Sequence, residues 1–166
     1  MKHFKRALRH LVTTASHGRK AFPPATLKAA EQEIAAGEQR HRAQVRLIVE
    51  AALPVAAAWH GMSPRERARE LFTHYRVWDT EENCGVLVYV NLADRQVEIV
   101  ADRGVGKTVS AHDWHAACRV LTHGFAEGKF REGTLAALAQ INILLERHYP
   151  GNGGSTNELP DNPVML

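Results

Sequence analysis

The residues best suited to chemistry in this chain are oxygen donors: Asp79, Glu81, Glu82 and Asn83 in one run, and Asp102 further along. Carboxylates and amides are the ligands that hard divalent cations such as Ca²⁺ or Mg²⁺ take. Like charges held close together repel, so such a cluster calls for a cation or an arginine between its members. Arg103, directly after Asp102, is the arginine nearest in sequence to that carboxylate. The chemistry therefore depends on whether the fold returns Asp102 to the run 79–83.

Two β-rich runs supply that return. Gly85–Asn91 and Gln96–Asp102 are separated by Leu92-Ala93-Asp94-Arg95, a polar turn of hairpin length. Antiparallel pairing with Asn91 opposite Gln96 sets Asp102 opposite Gly85, beside Glu81, Glu82 and Asn83. Around this hairpin the sequence predicts a helix from Thr26 to about His41, a strand from Val45 to near Leu53, and a helix opened by Ser63-Pro64-Arg65-Glu66. In that opening Ser63 is the N-cap, Pro64 the first helical residue and Glu66 the return arm of a capping box. Ser110 starts another helix reaching about Ala126, and a last one spans Glu132 to Tyr149. The strand from Gly85 is apolar at nearly every position and needs cover on both faces. The pattern thus predicts an α/β fold, a three-layer α/β/α sandwich with a small mixed sheet and an N-terminal helical extension. Domain boundaries fall at 1–25 (extension and linker), 26–150 (the α/β domain) and 151–166 (a tail too polar and Gly-rich to pack).

The extension carries Phe4, Leu8, Leu11 and Val12 against Lys5, Arg6 and Arg9, a basic amphipathic helix over residues 2–14. Four apolar side chains hold a membrane weakly, so it is expected to dock on its own domain or on a partner chain rather than on a membrane surface. Residues 17–24 read as linker. The net charge of +3 is concentrated in this segment, and basic residues nowhere interleave with aromatics, which argues against nucleic acid as a partner. Nothing in the pattern specifies an oligomeric state.

Other constellations are weaker. Asp102 to Thr108 nearly spells a phosphate-binding loop, but the first glycine is replaced by Ala101 and the helix cap is Ser110. The N-terminus at Ser110–Asp113 remains a place where backbone N–H groups could hold an anion. His112, His115 and Cys118 have no fourth zinc ligand. Trp59, Trp78 and Trp114 read as caps on the core. With two cysteines, no CxxC and no apolar leader run, a reduced, cytoplasmic setting is expected.

Glu70-Leu71-Phe72, Asn83-Cys84-Gly85-Val86-Leu87, Val97-Glu98-Ile99-Val100, Asp102-Arg103-Gly104 and Phe125-Ala126-Glu127-Gly128-Lys129-Phe130 through Gly133 together resemble the TPM-domain family. That family includes thylakoid-lumen acid-phosphatase-like proteins and bacterial relatives. The resemblance covers roughly residues 26–148, and it too implies an α/β/α sandwich. Where the family has Asp-Asn-Gly or Asn-Asn-Gly, this chain has Asn83-Cys84-Gly85, placing a thiol where a hard cation finds a poor partner. Two functions stay open. One is a non-catalytic, cation-binding module that engages a protein partner through its N-terminal helix or the loop 78–84. The other is a metal-assisted phosphatase acting on phosphate monoesters. In it Glu82, Asn83 and Asp102 hold Ca²⁺ or Mg²⁺, and Arg103 or the Ser110 helix terminus orients the phosphate, making Asp102 and Arg103 the catalytic residues.

Overall fold

The computed structural model describes residues 2–151 and 156–166. A mixed sheet of four strands, in the order β3 (Gln96–Ala101), β2 (Gly85–Asn91), β1 (Gln44–Glu50) and β4 (Val164–Met165), forms the middle layer. Strands β1 (Gln44–Glu50) and β2 (Gly85–Asn91) pair in parallel and are buried along their whole length. Strand β3 (Gln96–Ala101) closes the predicted hairpin in the predicted register, Asn91 opposite Gln96. One face is covered by α3 (Pro24–Glu38), α7 (Ala111–Ala126) and α8 (Phe130–His148) over a core that includes Ile34, Val45, Val88, Leu121, Leu138 and Ile141. The other face is covered by α5 (Pro64–His74), whose Ala68 and Leu71 meet Ile48, Leu87 and Tyr89. This is the expected three-layer sandwich. No helix among the described residues is long and apolar enough to cross a membrane.

The local signals that predicted the helices are the ones that form them. Ser63 accepts from the Glu66 N–H while the Glu66 carboxylate accepts from the Ser63 N–H at 2.7 Å, a complete capping box. Ser110 Oγ accepts from the Asp113 N–H in the same way at the start of α7.

Three expectations need correction. The segment 17–24, read as a linker, is largely helix: α2 (Ala15–Ala21) is opened by Thr14 and seats Gly18 against Ala51 and Met165. The tail read as unpacked returns to the sheet. Its residues 152–155 lie outside the described residues, but β4 (Val164–Met165) pairs in parallel with β1 and Leu159 is buried. The reason is polar as much as apolar. Gln44 Oε1 accepts from the Glu158 and Leu159 N–H groups at 2.8 and 3.0 Å, and the Arg46 guanidinium donates to the Pro160 and Asn162 carbonyls. Finally, Trp59 and Trp78 are exposed rather than core caps. Trp59 meets Phe4 edge-on and Trp78 lies near the Arg76 guanidinium.

Helix α1 (Lys2–Val12) docks on its own domain as expected, but inverted. Ala7 and His10 are the buried positions, while Phe4, Leu8, Leu11 and Val12 face outward, 50–61 % exposed. The anchor is Asp94 in the β2–β3 turn. Arg6 and Arg9 donate to its carboxylate at 2.6 and 2.7 Å, and His10 Nε2 lies 3.1 Å from it. His10 Nδ1 accepts from the Leu53 N–H, which leaves the proton on Nε2, facing Asp94. The orientation of the helix thus follows the pairing of its basic residues with one acid rather than its apolar stripe.

Candidate functional site

Helix α5 ends at Tyr75, and the chain reverses through Arg76, whose left-handed φ of 54° breaks the helix. The loop that follows is tied down by Thr80, whose hydroxyl accepts from the Cys84 N–H at 2.9 Å. Asn83 also takes a left-handed φ, 52°, a conformation asparagine tolerates better than most residues. Its carbonyl then accepts from the Gly104 N–H at 2.9 Å, bolting the loop to the end of β3. Gly104 is required by space: a Cβ there would stand 2.6 Å from the carbonyl oxygens of both Glu82 and Asn83.

Asp102 arrives where the hairpin register puts it, its N–H donating to the Gly85 carbonyl at 2.8 Å. It caps α6 (Arg103–Gly106), and Oδ1 accepts from the Arg103 N–H at 2.7 Å. Oδ2 is buried and meets no donor. The exposed Arg103 guanidinium is not what reaches Asp102; its backbone does. The arginine that serves the acidic edge is Arg42, just before β1, which donates to Glu82 Oε2 at 2.5 Å and stacks over the Tyr149 ring. Tyr149 in turn donates to the Glu82 carbonyl at 3.4 Å.

The predicted ligands thus share one edge without converging as side chains. Glu82 is turned to Arg42, Asp79 pairs with Arg76 at 2.9 Å, and the Glu81 N–H is bound by the Glu158 carboxylate. Among the described residues no three His, Cys, Asp or Glu side chains gather as a metal-binding group. What the edge does offer is hard oxygens: Asp102 Oδ2 without a donor, and, around Gly104 two residues on, the Glu82 and Asn83 carbonyls, each of which already accepts one hydrogen bond. That donor type fits Ca²⁺ or Mg²⁺, with water completing the shell, and suits no soft metal. Cys84 stands apart from it: its thiol donates to the Arg42 carbonyl, and burial raises its pKa, so it stays protonated.

The anion site expected at Ser110–Asp113 is already taken by the chain's own Asp113, whose carboxylate accepts from Ser110 Oγ at 2.7 Å. The sequence missed Arg42 and Tyr149. Arg42 became a neighbour only through the parallel register that sets Gln44 beside Gly85, and Tyr149 through the packing of α8.

The model for the TPM domain matches residues 17–143. The chain belongs to the TPM-domain family. Among solved structures, this TPM domain is similar to the BA42 protein from the psychrophilic bacterium Bizionia argentinensis, determined by NMR, with a TM-score of 0.76 and 22 % identity. The match covers 86 % of this chain and 93 % of that one, and shows a common fold. No curated protein matches.

Proposed function

We propose that this TPM domain is a non-catalytic module that binds a divalent cation, Ca²⁺ or Mg²⁺, at the edge formed by Asp102, Glu82 and Asn83, and engages a protein partner through α1. The observation that carries the cation reading is Asp102 Oδ2, a buried carboxylate oxygen without a donor, two residues before the Gly104 that the Glu82 and Asn83 carbonyls crowd. A buried carboxylate oxygen without a donor is costly, and a cation is the partner its surroundings suit. Asp79 and Glu81 are held on the same loop and would add charge, through water, rather than direct ligands. When bound, the ion would fix the loop 78–84 against α6. The partner reading is supported by the outward face of α1, where Phe4, Leu8, Leu11 and Val12 are exposed and Phe4 meets the exposed Trp59 edge-on.

Titration with Mg²⁺ or Ca²⁺, followed by amide NMR, should shift residues 79–85 and 102–106 saturably, with affinity on the order of 0.1–1 mM for so lightly charged a site. No saturable shift at millimolar cation, or shifts confined elsewhere, would refute the site. Turnover separates the two functional readings. The module predicts that metal-loaded protein leaves para-nitrophenyl phosphate intact at acidic and neutral pH; hydrolysis that Asp102→Asn abolishes would establish the metal-assisted phosphatase instead.

A further inference from the structure

The opposite end of the sheet holds a cavity of about 720 Å³, at the carboxyl ends of the parallel strands β1 and β2. It opens between α2, the turn after β2 and the junction of α7 with α8. In open α/β sheets, the crevice outside the carboxyl ends of parallel strands is where ligands characteristically sit. Its floor is apolar, made by Leu92, Phe125 and Phe130, with the two phenylalanine rings 5.1 Å apart. Its rim is cationic. Lys20 and Arg95 face it, each without an ionic partner among the described residues, and His17 lies beside them. Arg9 lines it as well but is bound to Asp94, and no aspartate or glutamate contributes to the lining.

The turn that presents Arg95 is tied down by hydrogen bonds. Arg95 itself is held at a left-handed φ of 55°, the Leu92 and Ala93 N–H groups donate to the Glu50 and Ala51 carbonyls, and Asn91 Oδ1 accepts from the Asp94 N–H at 2.9 Å. Two cations lining an apolar cavity whose lining holds no acid add nothing to stability. They do suit a ligand with a negative head and an apolar body, and the volume is that of a small-molecule site.

We propose that this cavity binds a small organic anion, a phosphate or carboxylate head on a short alkyl or aryl body. The anionic head lies between Lys20 and Arg95 and the body lies on Leu92, Phe125 and Phe130. The site is independent of the cation edge, so the test is run in EDTA with the whole chain. Hexyl phosphate, titrated by amide NMR and calorimetry, should bind saturably and shift residues 17–21, 92–95 and 122–130. Lys20→Ala and Arg95→Asn should each weaken it about tenfold, the latter chosen because asparagine tolerates the left-handed backbone. Hexanol, lacking the charge, and inorganic phosphate, lacking the body, should each bind at least tenfold more weakly. No saturable binding of hexyl phosphate, binding unchanged in both variants, shifts confined to the Asp102 edge, or equal affinity for inorganic phosphate would each overturn the proposal.

Discussion

Glu38, at the end of α3, shows how a single buried acid sets a pH dependence. Its Oε1 accepts from the Val45 N–H at 2.8 Å, while Oε2 is buried and meets no donor. Burial raises its pKa to about 8, against the opposing pull of the Val45 bond and with the charge of Asp161 adding to the rise. Glu38 is therefore protonated near neutrality, and Oε2 needs no donor because it carries the hydrogen. The folded pKa lies above the ordinary 4.5, so the native state holds the extra proton. Stability from this group is fully present below about pH 4.5 and is lost as pH rises through about 8. Glu38→Gln should flatten that loss. Urea unfolding at pH 6 and pH 9 should show a smaller drop for the variant than for the wild type, and identical slopes would mean that Glu38 is ionised in the fold. Nothing in the sequence marked this residue, since its burial comes from packing against β1 and the returning tail.

At the scale of elements, the N-terminal helix is a salt-bridged arm whose apolar face is largely exposed. Burial alone would raise the Asp94 carboxylate, but hydrogen bonds from Arg6, Arg9 and His10 outweigh it and hold the group at about 2. A folded pKa below the ordinary 3.8 gives stability that is present above about pH 3.8 and lost as pH falls through about 2. Asp94→Asn should therefore release α1 at neutral pH, costing about 3 kcal/mol of docking energy. Hydrogen exchange should quicken over residues 2–12 and leave the sheet protected; unchanged protection there would rule out Asp94 as the anchor. The amphipathic pattern of α1 was legible in the sequence and its orientation was not, because the anchor lies in a turn far along the chain. The same contrast holds elsewhere. Caps at Ser63 and Ser110 and the hairpin register are local and were readable. The two-residue β4 pairs with a strand more than a hundred positions earlier, and no local pattern announces it. Deleting residues 156–166 would strip Gln44 and Arg46 of their buried partners and should lower stability by at least about 2 kcal/mol, read as a fall in urea midpoint. An unchanged midpoint would mean the strand contributes nothing.

Over the whole molecule, one sheet carries two chemically opposite ends. The acidic edge around Asp102 lies at the start of β2, and the basic-rimmed cavity lies beyond its far end. Local hairpin geometry sufficed to place Asp102 against Gly85, whereas Arg42 and Tyr149 reach that edge only through the long-range assembly of β1 and α8. The most direct test of the cation site is thermal unfolding of the wild type and Asp102→Asn, each in EDTA and in millimolar Mg²⁺ or Ca²⁺. A cation bound only by the folded state stabilises it by about 1.4 kcal/mol at a tenfold excess over Kd. The amide keeps the Oδ1 cap on α6 and removes the unpartnered charge, so the variant in EDTA should be at least as stable as the wild type. Cation should raise the Tm of the wild type and leave that of Asp102→Asn unmoved; an equal rise in both proteins, or none in the wild type, would refute the site.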